Sequence, residues 1–542
     1  MRQGIVTKLR LFFSQFGGQV LLLCIWLFLS GMTIAGALVS GSSYDEAGFE
    51  QYLRDDLLNF HNWLGNRPVQ TRTLDGTGNA LEFLGHAVNV MLGNDQWLTT
   101  VSTTAHGIAG RHVVIGILGI YGSVLVFRIA RLLTNDRLAS LGAATALMAI
   151  PTWSGSAFFN PKDIPPAVGL AGLTLLFTKL LKGQDLITTS ATGWRNNRGI
   201  KILTTFILSF EAIFFVFISV GNRPGVLSLV GMLTLLTVIL LVVRKQFYDL
   251  ISLILLLLLG LYASIIINPL SYGNPFKYFW TEMTVSNHFA WDGVNLVAGH
   301  LMRGHTNSWW YGPVWILAQT PVLIELALIF ATVLMLLPNI KDFRRHTVSL
   351  KGFTTRIPLP KNFAYLPTIA LLALPLAYAI FFHPVLYNAS RHLMMVYPVI
   401  AVLFGLSVHK ILRTLKNPSQ TIIVSLLLVV SLLAPAWEAL GLFPYNYVYI
   451  NPVARLFGTN GHWEFDYWKL SLPEAVKLAP PSATSITIWP YPVPADHPTP
   501  YWIVGWIDPN FLSLPPSCQQ TFVTRPLGLS TIKLSYIAVC TS

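Results

Sequence analysis

Charged side chains are scarce in this sequence: Asp, Glu, Lys and Arg make up 11% of 542 residues, while 53% are hydrophobic. Soluble domains carry about 25% charged residues. The shortage excludes a single water-soluble globule and predicts a polytopic membrane protein. Cysteine is scarcer still, at three residues. Cys24, Cys518 and Cys540 are too few for a disulfide framework or a thiolate metal site, although the last two could pair if the C-terminus lies in an oxidising compartment. His288, His300 and His305 share one loop without a zinc spacing such as H-E-x-x-H. No compact basic tract, zinc knuckle or nucleic-acid motif is present, so the net charge of +13 does not indicate a nucleic-acid partner. The related halves common in transporters are also missing.

What the chain has in abundance is long apolar runs. A membrane-crossing helix needs about 20 mostly apolar residues. Runs near 19–40, 113–132, 138–153, 163–181, 201–220, 225–243, 249–268, 313–337, 363–382, 391–412 and 420–440 predict about eleven transmembrane helices. The first follows Arg2, Lys8 and Arg10, as in a signal peptide, but Val20 to Val39 exceeds the roughly 7 to 15 apolar residues of a signal core. It reads as a retained span. The expected architecture is therefore an all-α polytopic membrane core over 1–440, with outer loops 41–112 and 269–312, followed by a small extracytoplasmic α/β module over 441–542.

The positive charge sorts by side. With the N-terminus cytoplasmic, the inner segments hold 22 of the 36 basic residues against four aspartates, a net of +18 that leaves −5 for the rest. Short loops rich in Lys and Arg stay cytoplasmic. This predicts an integral membrane protein with a cytoplasmic N-terminus, short inner loops and its chemistry on the outer face.

The outer boundary carries few acids. Asp45 and Glu46 follow the first span, where two readings coexist. Ser43 with Glu46 fits a helix capping box, and two carboxylates at the mouth of an apolar helix are placed to meet a lipid-borne substrate. Arg111, ahead of the second span, either snorkels to lipid phosphates or grips one phosphate with its planar fork. Asn160-Pro161-Lys162-Asp163 opens the fourth span with a cation and an acid. Arg391 and His392 open the tenth, as interfacial anchors or as phosphate ligands. Glu211 and Glu325 fall within spans, where ionisable groups are functional candidates, but neither has a partner visible in the sequence. The Trp309-Trp310-Tyr311 run reads as an interfacial anchor or as lining for a sugar or lipid cleft.

The Asp45-Glu46 pair, Arg111, Asn160-Pro-Lys-Asp163, Leu386-Tyr-Asn-Ala-Ser-Arg391-His392 and Phe465-Asp466-Tyr467-Trp468, in this order, resemble the GT-C superfamily of lipid-carrier-dependent glycosyltransferases. The likeness is to bacterial relatives of the protein O-mannosyltransferases, glycosyltransferase family 39. It implies a GT-C fold of eleven to thirteen helices, an extracytoplasmic site, a polyprenyl-phosphate sugar donor carrying mannose or a similar hexose or pentose, and inversion at the anomeric carbon. Asp45 would be the catalytic base with Glu46 assisting, and Asp163 would complete the catalytic set. Arg111, Lys162, Arg391 and His392 would bind the carrier phosphate. A divalent metal, if used, would sit on Asp45 and Asp163. The segment after Glu46 reads Ala-Gly-Phe in place of the aromatic pair common in the eukaryotic enzymes, so the hydroxyl acceptor is a glycan, a lipid or a protein, with membrane lipid as the surrounding partner. A transporter or flippase of a lipid-linked sugar, or a membrane scaffold, are the competing readings.

Overall fold

The computed structural model describes residues 2–540 apart from 71–73, 75, 97–100, 102–103, 185–197, 331–332, 334–360, 415–417, 482, 484–485, 489–500 and 508–516. Arg195, Lys341, Arg344, Arg345, Lys351, Arg356 and Lys416, used above to orient the chain, lie outside the described residues. So does the end of the 313–337 run.

The helices are α1 (Arg2–Val39), α2 (Glu46–Leu64), α3 (Ala80–Met91), α4 (Ala105–Thr134), α5 (Arg137–Ala149), α6 (Pro151–Ser156), α7 (Ile164–Leu181), α8 (Arg198–Val220) and α9 (Leu227–Val243). They continue with α10 (Phe247–Ile266), α11 (Pro275–Asn287), α12 (Tyr311–Gln319), α13 (Val322–Phe330), α14 (Leu366–Phe382), α15 (Val396–Thr414), α16 (Pro418–Leu442), α17 (Pro452–Arg455) and α18 (Leu472–Lys477).

Among the described residues each of the eleven apolar runs falls mainly on helix, but only eight helices there are long and apolar enough to cross a membrane, or nine if α12 and α13 are one span. Two runs depart from straight spans at an X-Pro step. Proline disfavours helical backbone in the residue before it, and both Ile150 before Pro151 and Thr320 before Pro321 are extended. The 138–153 run thus breaks into α5 and α6. Thirteen residues at 1.5 Å each give α5 about 20 Å, short of a roughly 30 Å hydrocarbon core. The 313–337 run bends by 112° between α12 and α13.

The bundle packs around α7, which is buried along nearly its whole length. Small residues allow that approach, since apolar helices in lipid associate through close van der Waals contact. A Cβ on Gly172 would lie 2.3 Å from the Phe215 ring of α8. Glu211 of α8, without a partner in the sequence reading, takes the Arg128 fork of α4 at 2.5 and 2.8 Å and the Tyr121 hydroxyl at 2.9 Å. That bidentate grip staples α8 to α4 and leaves Glu211 a structural partner.

At the end of the bundle where α1 finishes and α15 begins, a two-stranded hairpin of β1 (Val294–Val297) and β2 (His300–Arg303) follows α11. Past α16, a four-stranded sheet is built from β3 (Ile486–Ile488), β4 (Tyr501–Trp506), β5 (Cys518–Leu527) and β6 (Ser530–Cys540), in the order β3-β4-β6-β5. Cys518 and Cys540 face each other in the β5–β6 register and are disulfide-bonded.

Asp466 connects this module to the bundle. Its carboxylate accepts hydrogen bonds from the Tyr447 hydroxyl, the Leu470 and Ser471 amides and the Ser471 hydroxyl. Burial pushes its pKa up to about 6 despite those donors. The Asp of the Asp-Tyr-Trp element is thus committed to shaping its own turn, at φ +46°, and it is the following aromatics that reach the site.

Candidate active site

A cavity of about 860 Å³ opens at this end of the bundle, between the Asp45 turn, the Asn160–Asp163 turn, the 289–293 segment ahead of the hairpin, the 387–391 segment and the 464–469 segment. Its ionisable lining is Asp45, Lys162, Arg391, Glu464 and Lys469. Trp291 and Tyr387 stack at 4.5 Å to form one of its aromatic walls.

The Asp45 turn is fixed from both flanks. The Tyr44 amide donates to the Trp468 carbonyl at 3.1 Å, and the Glu46 carboxylate accepts from the Ser43 amide. The other Glu46 oxygen lies 2.6 Å from His112 Nε2. The capping box is therefore half formed, with Glu46 reaching back as the motif predicts while the Ser43 hydroxyl has no partner. Asp45 holds the N-cap position of α2, yet its side chain caps nothing. Its carboxylate, 35% exposed, turns into the cavity 3.6 Å from Arg391 Nη2. Glu46 is buried and fully engaged, so it positions the turn.

Asp163 sits deeper. Asn160 accepts the Lys162 and Asp163 amides at 3.0 Å each through Oδ1, and its Nδ2 donates to Asp163 Oδ2 at 3.0 Å. Such side-chain turns are the usual local use of Asn. Asp163 then receives Arg223 on one oxygen and lies 3.3 Å from Arg391 Nε on the other. It does not line the cavity. Its carboxylate is shared between two guanidinium groups and acts as their anchor.

Arg391 is the centre of the arrangement. Its guanidinium lies 4.1 Å from the Trp468 ring centroid and 5.2 Å from that of Tyr387, aromatic faces that suit a cation. Burial works against its charge, but Asp163, Tyr387 and Asp45 outweigh that and hold its pKa above the ordinary value. Although buried and ion-paired, its Nε and Nη2 lack hydrogen bonds of good geometry. The adjacent His392 accepts Arg223 Nη2 at 2.9 Å through Nδ1. Arg has no lone pair to offer, so the ring proton belongs on Nε2, which is buried without a partner. Burial, together with Arg223 and Arg391, depresses its pKa far below the ordinary imidazole value, and His392 is a neutral donor. Neighbouring residues thus present unsatisfied N–H groups beside a cavity, an arrangement suited to an anion.

Lys162 reaches the cavity with its ammonium 5.5 Å from the Phe49 ring. Arg111 does not. It is buried against α3, hydrogen-bonded to Glu50 and 3.9 Å from Glu82, in a network that includes Glu46–His112 and a fully buried His86–Asp95 pair at 2.8 Å. Two carboxylates from α2 and α3 occupy the fork that was expected to hold phosphate. The donor set also fits a metal poorly. Asp45 and Asp163 both approach the Arg391 guanidinium, at 3.6 Å from Nη2 and 3.3 Å from Nε, so a fixed cation already stands where a shared metal would bind. Among the described residues no group of three His, Cys, Asp or Glu converges on a metal position.

Sequence reasoning missed Arg223, Lys469 and the role of Glu464. Arg223 precedes Pro224 just after α8 and would have been visible only as a boundary Arg. Lys469 lies 3.6 Å from the Tyr44 ring centroid. With the Asn388 amide oriented to satisfy both neighbours, it bridges Arg391 Nη1 at 3.0 Å and Glu464 Oε1 at 3.3 Å.

The Arg111 network carries a pH signature. Burial raises Glu82 to about 7, with Arg111 opposing. The folded state therefore holds a proton between about pH 4.5 and 7 that the unfolded chain has released, so stability is full below that window and falls as pH rises through it. Glu82→Gln is expected to flatten this dependence and to raise stability at pH 8 by up to about 3 kcal/mol, since each pKa unit is worth ~1.4 kcal/mol. Thermal unfolding of the two proteins from pH 4.5 to 8 measures it; parallel curves would refute it.

No family model matches the chain, and no curated protein matches it significantly. Solved structures with a related outline include ArnT from Cupriavidus metallidurans bound to undecaprenyl phosphate, at 13% identity over 97% of this chain and 98% of that one, with TM-score 0.43. The apo state of the same protein gives TM-score 0.45 at 13% identity. The archaeal oligosaccharyltransferase AglB from Archaeoglobus fulgidus, in complex with an inhibitory peptide and a dolichol-phosphate, gives 12% identity over 81% of this chain and 56% of that one, with TM-score 0.44.

Proposed function

We propose that this protein is an inverting glycosyltransferase that moves a sugar, mannose or a similar hexose or pentose, from a polyprenyl-phosphate carrier to a hydroxyl acceptor on the outer face of the membrane. The observation that carries the reading is Arg391. It is a buried guanidinium with unsatisfied N–H groups, lining a cavity at the end of the bundle and 3.6 Å from a part-exposed carboxylate. Net positive inner loops support the outer orientation.

The chemistry follows from this pair. Carrier phosphate on Arg391 and Lys162 replaces Asp45 as the counter-charge of the guanidinium and leaves the Asp45 carboxylate available as base. The acceptor oxygen attacks the anomeric carbon, the bond from that carbon to the phosphate oxygen breaks with its electron pair leaving on phosphate, and the acceptor proton passes to Asp45. Arg391 stabilises the charge that develops on the departing phosphate, as fixed donors do best in a desolvated site. Asp163 with Arg223 holds Arg391 in place, and His392 contributes its Nε2 donor. The Trp291–Tyr387 wall offers flat faces to a sugar ring. A glycan, a lipid or a protein hydroxyl each fits the requirement for an acceptor.

Purified protein in lipid, given a radiolabelled polyprenyl-phosphate sugar and a cell-envelope fraction, is expected to move label from the organic-soluble carrier to an organic-insoluble product. Label that crosses a sealed vesicle while still carrier-linked would establish a flippase instead. Glu211, which a transporter reading would use at mid-membrane, is occupied by Arg128 and Tyr121.

A further inference from the structure

A second cavity, of about 460 Å³, lies between α12, α13, the hairpin and α17. Its lining is chiefly apolar, with Glu325 as its acid, His300 of β2 as its basic side chain and no Lys or Arg. Two of its residues carry buried polar atoms without hydrogen-bond partners, Trp463 at Nε1 and Glu325 at Oε1. Trp463 is only 2% exposed. Orphaned buried groups are costly, on the order of 1–3 kcal/mol each, and here a donor and an acceptor share one apolar chamber. Asn451, also in the lining, is already spent: it donates to the Leu317 and Thr320 carbonyls at 2.7 and 2.8 Å and accepts the Ala454 amide at 2.9 Å. At the rim, Leu317, Val453 and Phe457 are exposed, a continuous apolar path for a chain lying in the bilayer.

We infer that this cavity is a lipid-binding site for an amphiphile whose head group bears a primary ammonium and an oxygen acceptor, of the phosphatidylethanolamine kind. No Lys or Arg in the chamber competes for Glu325, and His300 lies across it at the hairpin, so an ammonium that enters supplies the counter-charge that holds the carboxylate ionised. The Trp463 indole N–H supplies one hydrogen bond to a phosphate or ester oxygen, and the acyl chains leave past Leu317 and Phe457. The site is separate from the reaction cavity. Trp463 lines one and the next residue, Glu464, lines the other. The Glu464 amide is bonded to the Leu296 carbonyl of β1 at 3.2 Å, so the hairpin and this segment stand as a wall between the two chambers. A lipid seated behind that wall braces the Glu464 side of the reaction site.

The test is binding, which does not depend on transfer. Delipidated full-length protein in detergent is titrated with phosphatidylethanolamine, phosphatidylcholine and phosphatidylglycerol, with bound lipid counted by native mass spectrometry. Phosphatidylethanolamine is expected to bind about tenfold more tightly than the other two, the scale of one charge-assisted hydrogen bond. Glu325→Gln should abolish that preference and Trp463→Phe should weaken all three lipids severalfold, while Asp45→Asn, which removes a carboxylate of the reaction cavity and keeps the fold, leaves the preference in place. Equal binding of the three lipids by the wild type, or a preference that survives Glu325→Gln, overturns the proposal, as does its loss in Asp45→Asn, which would place the lipid's ammonium in the reaction cavity. The wild-type comparison stands even if a variant fails to fold.

Discussion

Arg391→Ala is expected to reduce sugar transfer by at least about a thousandfold, the upper range for losing a fixed donor to developing charge. The residue touches everything the proposed reaction needs. It faces Asp45 and Asp163 and lies against Trp468 and Tyr387. Removal also leaves Asp163 buried against Arg223 and Asn160 alone of the side chains described around it, and breaking a buried pair costs roughly 3–5 kcal/mol. A folding defect would therefore imitate a catalytic one. Arg391→Lys separates them. The ammonium keeps the charge beside Asp163 but cannot spread a fork between Asp45, Asp163 and a phosphate. The Lys variant is expected to unfold within a few degrees of the wild type while transfer falls by ~10–100-fold, with donor KM rising. Wild-type transfer by Arg391→Lys would show that charge alone suffices and that the fork geometry has no role.

Much of this arrangement was legible in the sequence, for a physical reason. Spans are governed by length and apolarity, which composition along the chain records directly, so each run landed mainly on helix. The Asp45 turn and the Asn160–Asp163 turn are local: their defining bonds join residues two or three positions apart. Arg391 was visible as one of several cations at the outer start of an apolar run, which is as far as local sequence carries it.

The illegible parts are those set by distant partners. Arg111 has the same local setting as Arg391, an Arg at the outer start of a span, and nothing local distinguishes them. What separates them is that α2 and α3 bring Glu50 and Glu82 to Arg111, 61 and 29 positions away in the chain, and keep it out of the cavity, whereas Arg391 lines the cavity with Asp45 beside it and Asp163 behind. Arg223 is hidden for the same reason, since its two partners come from before α7 and before α15. The two broken runs carried their signal in the Pro151 and Pro321 steps, and hydropathy alone overrode it.

Asp45→Asn tests the other half of the pair and should leave the fold intact. The side chain makes no capping bond and is more than a third open to the cavity, and the turn that carries it is held by Glu46, Ser43 and the Trp468 carbonyl, none of which the substitution touches. Asparagine is a good N-cap residue in its own right, so thermal stability should change by less than about 0.5 kcal/mol, as for surface substitutions generally. Transfer should fall by ~10²–10⁴-fold, the range for loss of a general base, with kcat carrying the loss. Carrier binding should be unchanged or slightly tighter, because Asn no longer competes with phosphate for Arg391. That combination of intact fold, undiminished donor binding and lost turnover is not what a purely structural Asp45 would give. Glu46→Gln makes the contrast: its carboxylate accepts the Ser43 amide and faces His112, so it should lose stability and shift the turn, lowering kcat and raising KM together. Full transfer by Asp45→Asn would remove the assigned base and leave the cavity as a binding site alone.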